Sequence, residues 1–149
     1  MSCVLAKVIS KTFIVNSIQE TSEIAQEISD YFVFPNCIYL HGTMGAGKTT
    51  FTAAILAALG YQGPVTSPTY NLIQEYQLEN GVVYHMDLYR IEDASELEFL
   101  ALEDIWNTDS MFIVEWPQNG IGYLRNADIH IEINKCPEIG HDSRQIVIR

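Results

Sequence analysis

The spacing of apolar residues changes period several times along this chain, and each change marks an element. Phe13 to Val15 is a short apolar run with strand character. Ser17 and Glu20 then have capping-box spacing ahead of Ile24, Ala25, Ile28 and Phe32, which recur at helical intervals. The intervening Glu23, Glu27 and Asp30 belong to the solvated face of that helix, and Pro35-Asn36 ends it. Cys37 to Leu40 suits a buried strand, and a glycine-rich turn separates it from a helix over Thr49 to Leu59 stopped by Gly60.

The segment Tyr61 to Thr69 has no period and two prolines, so it reads as a loop. Two strand-like runs follow, Tyr70 to Gln77 and Val82 to Leu88, joined through Asn80-Gly81 as a hairpin. Ser95 and Glu98 predict a second capped helix reaching about Asp104 and carrying Leu97, Phe99, Leu100 and Leu102. That apolar stripe is expected in the core, with a docking face as the alternative. Met111 to Val114 is another buried strand. Ile129, Ile131 and Ile133 alternate, and with Gln145 to Ile148 they form a closing hairpin. The expected architecture is α/β with a mixed parallel and antiparallel sheet, one domain over residues 1–149.

Bulk properties narrow the function. Eight basic and nineteen acidic residues give a net charge of −11, which opposes autonomous binding of RNA or DNA. A phosphate-bearing ligand then requires a local pocket of backbone amides and one or two cations. No apolar stretch approaches a membrane span, and the three cysteines Cys3, Cys37 and Cys136 share no metal-ligand spacing. The expected location is the reducing cytoplasm, without a membrane partner.

The local pocket is written as Gly42-Thr43-Met44-Gly45-Ala46-Gly47-Lys48-Thr49, which satisfies G-x-x-x-x-G-K-[ST] at every fixed position. A buried strand enters it and a helix leaves it, so loop amides and the helix amino end would surround the phosphates of ATP. Lys48 would reach the β and γ phosphates, the Thr49 hydroxyl would ligate Mg²⁺, and Thr50 follows in the helix's first turn. A P-loop of this kind needs a strand-end carboxylate beside the metal, and Asp87 and Glu115 each end an apolar run. His85 and Asp87 are two apart and on a strand face the same way, which suits a pair near the γ-phosphate, with Arg90 close behind. Thr66, Ser67 and Thr69 occupy the loop where a γ-phosphate sensor is expected. Thr21 and Trp116 are the candidates for adenine contact.

Together HGTMGAGKTTF, VTSPTYNLIQEY, YHMDLYRIEDASELEFL and FIVEWPQNG resemble the TsaE family, over about Thr21 to Gly122. The resemblance implies a P-loop NTPase domain of three layers, with helices on both sheet faces. It also implies an ATPase supporting tRNA N6-threonylcarbamoyladenosine modification, in a complex with two partner proteins of sugar-kinase-like fold. It carries phosphate binding onto Lys48, Mg²⁺ onto Thr49 and Glu115, the hydrolytic site onto Asp87, and the switch onto Ser67 to Thr69. Family members commonly have Asp and Leu at Thr43 and Met44, often Arg at Ala53, and usually Gly at Ala101. Thr43 and Met44 are positions whose amides still serve, whereas losing an Asp and an Arg bears on turnover and docking.

Two other readings stand beside this one. A small-molecule kinase would want a basic lid, and the only arginines are Arg90, Arg125, Arg144 and Arg149. A nucleotide-gated adaptor would bind ATP without useful hydrolysis. Because an arginine finger is worth roughly 10³ to 10⁵ in rate and none is evident, the isolated chain is expected to hydrolyse ATP slowly. Asn134-Lys135 begins like a guanine-reading N-K-x-D run, but Pro137 stands where the essential Asp would be.

Overall fold

A computed structural model describes residues 10–68 and 71–149. Seven strands form one sheet in the order β1-β7-β6-β2-β5-β4-β3. They are β1 Lys11–Val15, β2 Asn36–His41, β3 Ile73–Leu78, β4 Gly81–Asp87, β5 Ser110–Glu115, β6 Ile129–Lys135 and β7 Arg144–Ile148. The four central strands are parallel, with β2 between β5 and β6 and β4 outside β5. Antiparallel pairs β3/β4, β6/β7 and β1/β7 extend the edges, so the expected mixed sheet and both hairpins are present.

Buried central strands need apolar residues on both faces. Ile38, Leu40, Met111 and Ile113 point to one core, where Ile28 and Phe32 pack with Phe51, Ile55 and Leu56. Cys37, Phe112, Val114 and Met86 point to the other, which Leu97 and Leu102 close. The first face carries α1 Ile18–Glu27 and α2 Lys48–Ala58, packed against one another. Among the described residues the second carries two 3₁₀ segments, Ala94–Leu100 and Pro117–Gly120, and the single turn α3 Leu102–Ile105, so its helical layer is thin.

The start of α1 follows its sequence signal. Ser17 Oγ accepts from Glu20 N, while the Glu20 carboxylate accepts from Asn16 N, one residue before the cap. Glu23, Glu27 and Asp30 are exposed, and Gly60 at φ 100° ends α2. Within the described residues no helix is long and apolar enough to cross a membrane.

The second capped helix is not continuous. Asp93, not Ser95, supplies the cap, its Oδ1 accepting from Ser95 N at 2.9 Å, and Ala101 at φ 48° interrupts the helix before α3. The interruption divides the stripe: Leu97 and Leu102 are buried, whereas Phe99 is 91% exposed. The β3/β4 turn also differs from its Asn-Gly signal. Leu78 pairs with Gly81, so Glu79 and Asn80 make the turn and neither has positive φ. Gly81 answers to crowding instead, since a Cβ there would lie 2.3 Å from the Asp109 carbonyl oxygen.

Candidate functional site

The carboxyl ends of β2, β4 and β5 meet at one edge of the parallel sheet, and the glycine-rich loop leaves β2 there. Its first residue sits hard against β6: a Cβ on Gly42 would lie 2.7 Å from the Ile133 carbonyl oxygen. Gly45 and Gly47 have φ of 75° and 108°, and Gly47 caps α2 with no side-chain bond to the first-turn amides. Those amides remain available to an anion. Thr43, Met44 and Gly45 form the exposed tip, and Ala46 is buried beneath it.

Lys48 is 6% exposed, and its Nζ donates to the carbonyl oxygens of Gly42 at 2.8 Å and Thr43 at 2.9 Å. The same ammonium lies 4.7 Å from the centre of the Trp116 ring, a cation–π contact. Burial holds its pKa below the ordinary lysine value; Glu115 and Asp87 oppose that shift, and Lys135 adds to it.

Asp87 and Glu115 are register partners at the ends of β4 and β5, yet they do different things. Glu115 is 2% exposed, and both its carboxylate oxygens lie 3.3 Å from Thr49 Oγ1. His85 Nε2 lies 2.9 Å from Glu115 Oε2. The expected His85–Asp87 pair is therefore replaced by a His85–Glu115 pair, because the imidazole is wholly buried behind the acid. Asp87 turns outward: Oδ2 accepts from the Ser67 hydroxyl at 3.1 Å and Oδ1 from Tyr89 N at 3.0 Å. Thr66 is tied to the Tyr76 hydroxyl through its backbone, and Thr69 lies outside the described residues.

A cleft of ≈570 Å³ opens on the other side of the loop, within the range of small-molecule sites. Thr21, Gly45, Gly47 and Thr50 line it, with Asp142 and Arg144 opposite. Trp116 does not; at φ 55° it turns back toward Lys48 and packs at 5.1 Å on the Tyr89 ring. The two adenine candidates are thus divided by the loop, Thr21 on the cleft and Trp116 at the carboxylates.

Sequence reasoning passed over Arg144 and Lys135. Arg144 Nε donates to the Ala46 carbonyl at 2.8 Å, and its Nη1 donates to both the His141 and Ser143 carbonyls. Lys135 Nζ lies 3.4 Å from where a Gly45 Cβ would stand. Both come from the far end of the chain, and no local pattern links them to the loop. Among the described residues no three His, Cys, Asp or Glu side chains gather as a metal cluster. The oxygen set of Thr49 and Glu115 instead fits a hard cation that takes its remaining ligands from phosphate and water, as Mg²⁺ does.

Comparison with known proteins follows the same lines. Residues 15–146 match the family model of the threonylcarbamoyl adenosine biosynthesis protein TsaE. The TsaE protein of Haemophilus influenzae is 48% identical over 97 residues, 65% of this chain and 61% of that protein. Those of Aquifex aeolicus and Bacillus subtilis are each 36% identical over 130 residues, 86% of this chain, and cover 90% and 78% of their own lengths. The crystal structure of Bacillus subtilis YdiB superposes with a TM-score of 0.74 at 28% identity, covering 94% of this chain and 84% of that one. With its glycine-rich loop and both strand-end carboxylates inside the matched span, this chain belongs to the TsaE family.

Proposed function

We propose that this chain is a P-loop ATPase that binds ATP with Mg²⁺ and supports tRNA threonylcarbamoyladenosine modification alongside two partner proteins of sugar-kinase-like fold. The observation that carries the reading is the junction of loop, lysine and acid: Lys48 buried in the Gly42–Thr49 loop, and the Thr49 hydroxyl within 3.3 Å of Glu115. The names of the relatives supply the pathway.

Each residue has a task in this reading. The amides of Gly45 to Thr49 and the start of α2 hold phosphate oxygens, and Lys48 exchanges its two carbonyl contacts for phosphate. Bound Mg²⁺ would neutralise developing charge on the phosphates, with Thr49 and Glu115 holding it. Asp87 presents a carboxylate beside the γ-phosphate position, where it orients the attacking water. Its bond to Ser67 makes the 61–68 loop a reporter of nucleotide state. Thr21 and Thr50 face the part of the ligand lodged in the cleft.

Hydrolysis by the chain alone should be slow, because Arg144, beside the loop, has its Nε and Nη1 engaged by the carbonyls of Ala46, His141 and Ser143. The same observation leaves the nucleotide-gated adaptor as the second reading. The deciding experiment measures ATP hydrolysis and tRNA modification with the partner proteins reconstituted, comparing the unaltered chain with Glu115→Ala. Loss of both activities is expected; hydrolysis indifferent to that change defeats the metal role, and modification without hydrolysis favours the adaptor.

A further inference from the structure

The proposed site rests on a residue that it does not expose. His85 is 0% exposed in the middle of β4, sits on the same sheet face as Glu115, and makes one polar contact, Nε2 to Glu115 Oε2 at 2.9 Å. Its Nδ1 is buried with no hydrogen-bond partner. A carboxylate can only accept, so this contact requires a proton on Nε2, and Nδ1 is left unpartnered in the core. An apolar residue of similar size would avoid that orphan, and the flanking side chains on the same strand, Val83, Tyr84 and Met86, are buried apolar or aromatic groups.

A fully buried imidazole that is poorly served by its own surroundings has its return elsewhere, and the one group it touches is the acid at Thr49. Glu115 has little else to fix it: among the described residues its carboxylate oxygens hydrogen-bond only with Thr49 Oγ1, at a long 3.3 Å, and His85. We propose that His85 is a positioning residue that donates from Nε2 to Glu115 and holds the carboxylate in the rotamer facing Thr49. The role rests on the Proposed function, in which Glu115 and Thr49 hold Mg²⁺. Groups that orient a metal-binding carboxylate commonly change metal affinity by roughly 10- to 100-fold when removed.

The experiment uses the full chain and two variants, His85→Leu and His85→Gln. Gln carries an amide NH₂ near the place of Nε2; Leu fills the space and donates nothing. Two readouts are taken: the melting temperature without Mg²⁺ or nucleotide, and the Mg²⁺ concentration that half-saturates ATP binding in calorimetric titrations. The expected result is a Leu variant that melts no lower than the unaltered chain yet needs about 10-fold or more Mg²⁺, with Gln restoring most of the difference. A Leu variant with a lower melting temperature, or with an unchanged Mg²⁺ requirement, overturns the inference, as does failure of Gln to restore it. Should the unaltered chain bind ATP with no dependence on Mg²⁺, the reading of the site falls together with the inference.

Discussion

Ala101 offers a test in which glycine should stabilise a protein. It stands at φ 48°, ψ 50°, where the 3₁₀ segment gives way to α3, and its methyl group is exposed, so little packing is lost by removing it. For an L-residue with a Cβ the left-handed region costs about 1–2 kcal/mol. Glycine adopts it freely but gives the unfolded chain more states, which costs about 0.4–1 kcal/mol in return. The strain is the larger quantity, so Ala101→Gly should gain about 0.5–1 kcal/mol, or about 1–3 °C in melting temperature at this chain length. Ala57, exposed in the last turn of α2, is the control: without strain to relieve, Ala57→Gly should lose stability, by up to about 1 kcal/mol. Both are read by urea titration and thermal melting followed by circular dichroism. If Ala101→Gly destabilises by as much as Ala57→Gly, the left-handed conformation at Ala101 is refuted.

Other consequences can be measured directly. Lys48→Ala should abolish ATP binding by calorimetry while the circular dichroism spectrum is retained; micromolar affinity in the variant would refute the loop's role. Gly42→Ala places a Cβ 2.7 Å from the Ile133 carbonyl, a backbone atom that cannot swing aside, so both melting temperature and ATP affinity should fall. Burial, aided by the Asp128 carboxylate and opposed by Arg125, pushes the Cys37 thiol up to about 12. Peptide mass spectrometry should therefore find Cys37 alkylated by iodoacetamide only after unfolding. His41, hydrogen-bonded to His130 at 3.0 Å, is held below the ordinary 6.5 by burial first and then by His130 and Arg149, against Glu132. The unfolded chain then binds more protons, so stability is lost as pH falls below about 6.5. His41→Gln should lose less over that interval in urea midpoints taken at several pH values.

The elements were legible where local chemistry decides them. Capping at Ser17 and the Gly60 stop survive in the folded chain because each is satisfied within a few residues, and the alternation of Ile129, Ile131 and Ile133 survives because a period of two marks a strand whichever strand it pairs with. Ser95 misled because Asp93, two residues earlier, is an equally good acceptor and nothing nearby arbitrates. Asn80-Gly81 gave the right hairpin for the wrong reason, since that glycine accommodates a carbonyl from the loop before β5. The glycine-rich loop between β2 and α2 was readable from a contiguous motif. The division of labour between Asp87 and Glu115 was not, because it depends on where Thr49 and Ser67 stand across strands. Arg144 was hidden for the same reason, its partner lying 98 positions upstream.

The position of β7 between β1 and β6 bears on how the chain matures during synthesis. Among the described residues β1 leaves the ribosome before the other strands, but the strand that pairs with it lies at residues 144–148, and Arg144 of that strand also braces the Ala46 carbonyl. Until those residues clear the exit tunnel, β1 has no neighbouring strand and the Gly42–Thr49 loop lacks its brace. Arrested chains in which residues 144–148 are missing or still inside the tunnel should accordingly remain protease-sensitive at residues 11–15, and chains holding those residues clear of the tunnel on a carboxyl-terminal linker should become protected there.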